Sequence, residues 1–149
     1  MKLEPRFTVW VDVEPPCSTG ATTAGERRVI PFTAGTFEGC GMRGKLLPGG
    51  TDWQRVRADG SLEITARYML QSEAGEIIQV VSEGLRTASP EVLARLSAGE
   101  DVPPDQYYFR TSIRLTTGSE RLKHLNDRLY VGVGTRQARS VQIVIHEVP

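Results

Sequence analysis

The sequence has little cysteine, no excess of either charge and no long apolar run, and each shortage removes a class of protein. Its only cysteines, Cys17 and Cys40, form no CxxC or other metal spacing. The opening segment, Met1 to Val13, lacks the apolar stretch and small-residue cleavage site of a secretory leader. Two reduced thiols in a cytoplasmic protein are therefore expected. No stretch approaches the roughly 18–20 apolar residues of a membrane span, so no membrane partner is expected. Lys plus Arg and Asp plus Glu are equal at 18 each. Phosphate contacts supply most of a nucleic-acid binder's affinity and demand a basic field, yet the longest basic run is Arg27-Arg28. No nucleic-acid partner is expected either.

What is abundant is turn chemistry: 15 Gly and 9 Pro in 149 residues. A chain of this length buries roughly 68–70% of its unfolded surface, enough for one domain spanning residues 1–149. Phe7 to Val13 alternates with period two, the mark of a half-buried strand. Glu14 to Arg27 reads as a long loop, and Arg28 to Phe32 as a strand whose Pro31 requires an edge or a bulge. Thr36 to Leu47 is strand-like despite three glycines and ends at the Pro48-Gly49-Gly50 turn. A turn at Ala58 to Ser61 leads into Leu62 to Leu70, which a hairpin at Glu73 to Glu76 joins to Ile77 to Arg86. Tyr107 to Thr116, Leu129 to Gly134 and Ser140 to Val148 are also strand-like. One short helix is punctuated by Ser89 as cap, Pro90 in the first turn and Gly99 after the end, with Val92, Leu93 and Leu96 as its apolar stripe. About eight to ten strands without a βαβ rhythm predict a mainly β fold, a closed antiparallel barrel with the helix against the sheet or plugging one end.

Several catalytic signatures fail on their context. Gly39-Cys40-Gly41-Met42-Arg43-Gly44 spells GxGxxG, but Pro48-Gly49-Gly50 follows too soon for the helix that would hold a pyrophosphate. His124 and His146 have no partner at ligand spacing, and no Gly-x-Ser-x-Gly elbow is present. Neither a metal nor an organic cofactor is expected.

A series of phrases is recognisable in order: Gly35-Thr36-Phe37-Glu38-Gly39, Leu47-Pro48-Gly49-Gly50-Thr51-Asp52-Trp53, Ala66-Arg67-Tyr68, and Glu83-Gly84-Leu85-Arg86. Tyr107-Tyr108-Phe109-Arg110-Thr111, Leu125-Asn126 and Val131-Gly132-Val133-Gly134 complete it. From about Pro5 to Val148 the chain thereby resembles the bacterial and fungal family known as domain of unknown function 3237. The resemblance implies a compact β-barrel, often a homo-oligomer, and supplies no general activity. Lys123-His124 stands where the family usually has an aromatic before Leu-Asn, which implies a more polar wall if that position lines a pocket.

The polar residues of these phrases are the candidate site. Asp52 is either an acid or base at a barrel mouth or a residue bonded to its own turn, and Trp53 either a stacking wall or a core plug. Alternation puts Arg67 with Glu63, Thr65 and Met69, and Arg110 with Tyr108, Ser112 and Arg114, opposite the apolar faces of their strands. If apolar faces fill the barrel, both arginines lie outside. If the lumen is a wet cavity, they form a fork for a carboxylate, with Tyr108 as proton donor and Asp52 or Glu38 as general base. Asn126 either positions a ligand carbonyl or satisfies loop backbone. The expected function is that of a small-molecule-binding barrel acting by acid–base chemistry, as isomerase, cyclase or lyase, on an anionic carbonyl or carboxylate compound. The alternatives are a barrel that binds without chemistry and an oligomeric scaffold with a packed lumen.

Overall fold

The computed structural model describes residues 1–149. Its ten strands are β1 (Glu4–Val13), β2 (Cys17–Ser18), β3 (Glu26–Gly39), β4 (Met42–Leu46), β5 (Thr51–Val56), β6 (Leu62–Ser72), β7 (Ile77–Thr87), β8 (Tyr108–Thr117), β9 (Leu129–Arg136) and β10 (Ser140–Val148). The order β1-β10-β9-β8-β7-β6 is antiparallel throughout, and β6 continues onto β5 along its first half and β4 along its second. Both of those pair with β3, and β3 returns to β1. The sheet therefore closes into a barrel with eight strand positions, one of them shared end to end by β4 and β5. Closure leaves no long free edge to pair with another chain.

The turns form where their chemistry was legible. Gly49, Gly60 and Gly75 all have positive φ. The helix α1 (Pro90–Ser97) is capped by Ser89, whose Oγ accepts from the Val92 amide at 3.3 Å. Pro31 does fall beside a bulge: the β1–β3 register shifts between Asp12 and Val13, and there β3 leaves β1 for β5. Two segments differ from the sequence reading. The stretch from Thr36 to Leu47 is two strands, because Cys40 and Gly41 both take positive φ and make a two-residue hairpin turn. Thr51 to Val56 is a strand in its own right, and β2 adds a two-residue pairing within the segment read as loop.

Alternation along each strand sends one face into a core of 26 buried residues. On β6, Leu62, Ile64, Ala66, Tyr68 and Leu70 face in and Arg67 and Met69 face out. Fully burying a side chain such as Leu70 contributes about 1.5–3 kcal/mol, so exchanging the two faces is prohibitive. One end of the barrel is closed by Leu122 and Leu125, near the short 3-10 turn Lys123–Asp127. At the other end α1 packs Leu93 and Leu96 inward, beside the first residues of β3 and β6 and the last residues of β5 and β7.

Candidate functional site

At the helix end the lumen narrows to a cavity of about 40 Å³. Its wall combines apolar residues, Val11, Ile30, Phe32, Ile64, Phe109 and Ile143 among them, with the polar Asp52, Gln54, Tyr68, Arg86, Thr111 and Arg136. By the measure of about 10–15 Å³ per water, the enclosed part holds roughly three waters or the end of a small molecule. Arg86 also lines a groove of about 260 Å³ beneath α1, walled by Arg28, Pro90, Leu93 and Ala94. Arg86 is thus the residue that the cavity and the groove share.

Strand alternation brings these groups together. On β5, Asp52 and Gln54 face in while Trp53 and Arg55 face out. On β7, Arg86 ends the inward row of Ile78, Val80 and Ser82 and is only 6% exposed. On β9, Arg136 continues the row of Tyr130, Gly132 and Gly134. Gly134 carries no side chain because the Phe109 ring lies against it; a β-carbon there would stand 2.6 Å from the ring. Arg28 on β3 pairs in register with Gln54 and donates to its Oε1 from both Nε (3.2 Å) and Nη2 (2.7 Å). The Gln54 amide then donates to Asp52 Oδ2 at 2.8 Å. The chain Arg28–Gln54–Asp52 fixes both the amide orientation and the carboxylate rotamer.

The second oxygen, Asp52 Oδ1, is closed off from solvent and has no hydrogen-bond partner. Burial pushes the Asp52 carboxyl up to about 6; the Gln54 hydrogen bond and the charges of Arg86, Arg28 and Arg136 pull it back only in part. Burial, with repulsion from Arg136 and Arg28, pushes Arg86 down to about 10. Arg136 is lowered as well, first by burial and then by Arg28. Burial raises Tyr68, so its hydroxyl keeps its proton. Neither Arg28, Arg86 nor Arg136 belongs to any of the seven ion pairs of the chain. Tyr68 OH, Arg86 Nε and Thr111 Oγ1 join Asp52 Oδ1 as buried atoms without partners, and all four residues line the one small cavity. Unpaired buried polar groups are costly in a fold and concentrate where a ligand or substrate completes them. No three His, Cys, Asp or Glu side chains converge as metal ligands, and the Gly39–Gly44 run is a hairpin turn and strand with no helix behind it.

Of the seven residues singled out in the sequence, the structure brings only Asp52 to this cavity. Arg67 and Arg110 lie on the outer faces of β6 and β8, and the fork expected from them is corrected: the apolar faces of both strands fill the barrel. Arg110 instead stacks over the Tyr108 ring at 5.5 Å, and Tyr108 itself is 53% exposed. Trp53 is 58% exposed on the outside of β5, so it is not a core plug and does not line the cavity. Glu38 is exposed in an open outer groove of about 690 Å³ shared with Trp10, Arg43 and Lys45, where water screens every charge. Asn126 is structural: it accepts from the Thr117 amide at 2.9 Å and donates to the carbonyls of Thr117 (2.9 Å) and Lys123 (3.1 Å), holding the closing turn to β8. Arg28, Gln54 and Arg136 carry no motif signal in the sequence, and Tyr68, Arg86 and Thr111 stand in the recognisable phrases with nothing local to mark them as lining a cavity.

A family model described as "Protein of unknown function (DUF3237)" matches residues 1–148. A "UPF0311 protein" of Rhodopseudomonas palustris is 35% identical over 142 residues, covering 95% of this chain and 93% of the relative. The crystal structure of a conserved protein of unknown function from Rhodopseudomonas palustris matches with a TM-score of 0.93 at 34% identity, covering 100% of this chain and 99% of that one. That of a beta-barrel like protein from Acinetobacter baumannii matches at 0.85 and 37%, covering 99% and 96%. No helix of the chain is long and apolar enough to cross a membrane. With the match spanning nearly every residue and the barrel shared throughout, the chain belongs to the DUF3237 family of proteins of unknown function.

Proposed function

We propose that the helix end of the lumen binds a small anionic carbonyl or carboxylate compound and moves a proton on it. The observation that carries this reading is the charge imbalance in the cavity: Arg86 and Arg136, neither in an ion pair, line it with a single carboxylate of raised pKa, which Arg28 reaches through Gln54. An anion at Arg86 neutralises that excess and supplies the partner its Nε lacks. The ligand's charged end enters the cavity, and its body lies along the groove beneath α1.

Asp52 acts as general base. At about 6, its carboxyl is largely ionised at neutral pH yet more basic than an exposed aspartate. Its bare Oδ1 removes a proton beside the carbonyl, and Arg86 stabilises the enolate oxygen that develops. The protonated Tyr68 hydroxyl donates a second hydrogen bond to that oxygen. Return of the proton to a different atom isomerises the compound; loss of a leaving group makes the step an elimination.

Solvent-deuterium incorporation into small 2-oxo and 3-oxo acids, followed by NMR, tests the reading. The wild type is expected to exchange the carbon-bound proton with a rate that rises through about pH 6. Asp52→Asn should keep binding, seen as a thermal shift, and lose exchange by about 10²–10⁴-fold. Arg86→Met should lose both. Binding without exchange in the wild type would leave a ligand-binding barrel without chemistry; neither binding nor exchange across the panel would overturn the proposal.

A further inference from the structure

The opposite end of the barrel carries a depression of about 290 Å³ whose walls include Arg6, Cys40, His124, Arg128 and Tyr130. Tyr130 is 1% exposed, and its hydroxyl has no hydrogen-bond partner. Burial raises that hydroxyl to about 12, and the charged groups that act on it are Glu147, Arg6, Cys40 and Arg128. All four line the same depression, and so does Tyr130 itself. Met42, Leu122 and Leu125 give the depression an apolar floor.

Cys40 stands at the rim, exposed and unpaired, at the first turn position of the β3–β4 hairpin. Its φ of 53° is a conformation that glycine or asparagine adopts with less strain, so the turn geometry does not explain a cysteine. Arg6 is held by Glu147 at 2.7 Å. Arg128 and His124 are exposed, and neither belongs to an ion pair. A thiol, two free basic side chains and an unpartnered buried hydroxyl thus share one recess. Cys17, also exposed, is on β2 and outside it.

We propose that Cys40 is a thiol–disulfide exchange site for a low-molecular-weight disulfide bearing carboxylates. Arg128 and His124 hold the carboxylates at the rim, and Tyr130 donates to the polar group that reaches the floor. The Cys40 thiol gives its proton to solvent, and the thiolate attacks one sulfur of the reagent. A mixed disulfide forms as the reagent's own S–S bond breaks, and the departing thiolate takes a proton from solvent. Cys40 is oxidised and the departing thiol is reduced. This site is independent of the lumen reading and stands or falls without it.

Glutathione disulfide is the probe, and peptide mass spectrometry of the full chain counts adducts at Cys40 and Cys17 over time. Cys40 should react at least about tenfold faster than Cys17, the scale of steering by a charged recess. With neutral 2-hydroxyethyl disulfide that preference should shrink toward unity. Arg128→Ala and Tyr130→Phe should each slow the Cys40 reaction with glutathione disulfide several-fold and leave Cys17 unchanged, thermal melts showing that both variants are folded. Equal rates at the two cysteines, or the same preference with the neutral reagent, would overturn the proposal.

Discussion

Replacing Asp52 by Asn removes one charge while keeping the shape of the side chain and an oxygen for the Gln54 amide at Oδ2. The atom that changes most, Oδ1, has no hydrogen bond to lose. In the native protein burial lifts the carboxyl from its ordinary 3.8 to about 6, a gap that corresponds to roughly 3 kcal/mol. Below pH 3.8 both native and unfolded chains carry the proton, and the residue costs nothing. Between 3.8 and 6 the unfolded chain has lost its proton while the native chain retains it, so stability falls as pH rises. Above 6 the native carboxylate is ionised and the full cost is present. The stability of Asp52→Asn relative to wild type should therefore be higher at pH 8 than at pH 3.5 by roughly 3 kcal/mol, or about 6–12 °C in Tm, whatever constant cost the buried amide adds at both. Thermal melts of both proteins across that range measure it, and titrations common to both cancel in the difference. A difference between the two proteins that is the same at pH 8 and pH 3.5 would refute a desolvated carboxylate. It would also remove the reason to regard Asp52 as a base. A residue that weakens the fold by this much while keeping an unpartnered oxygen in the wall of a cavity is what a trade of stability for activity looks like.

Arg67→Ala and Arg110→Ala should leave lumen binding unchanged, because both side chains lie outside the barrel, and Arg110→Ala should cost at most about 1 kcal/mol for its exposed stack on Tyr108. Ligand thermal shifts beside an Arg86→Met control check this. Gly134→Ala places a β-carbon 2.6 Å from the Phe109 ring and should cost about 1–3 kcal/mol by urea unfolding. Hydrogen bonds from Arg121 and Ser119 lower Glu76 to about 2, so its stabilising contribution is present above its ordinary 4.5 and lost as pH falls toward 2. The stability difference between wild type and Glu76→Gln should accordingly be constant above pH 5 and shrink below it.

Local chemistry determined most of the elements. Alternation located β1, β6, β7 and β8, glycines located the turns at Gly49, Gly60 and Gly75, and Ser89 and Gly99 bracketed the helix. It failed where a signal was too short to read: β5 has six residues, and its Asp52, Trp53 and Gln54 show no apolar alternation. Missing β5 hid the fact that Asp52 and Gln54 share a face. The pairing of residues into faces was also legible, since Arg67 and Arg110 were each assigned opposite their apolar neighbours.

Which face lines the lumen, and what meets there, only the closed sheet decided. Period two divides a strand into two sides without saying which is inside. That choice depends on the apolar area all eight strand positions bury together, and it sent Arg67 and Arg110 out. Near the helix end the same alternation turns Arg28, Arg86 and Arg136 inward, each near the end of a strand far from the others in sequence. Their mutual repulsion and the burial of Asp52 exist only after β3, β5, β7 and β9 take their places around the barrel. A charge is read in the sequence one residue at a time, but its energy depends on distance and dielectric, and both are properties of the folded chain.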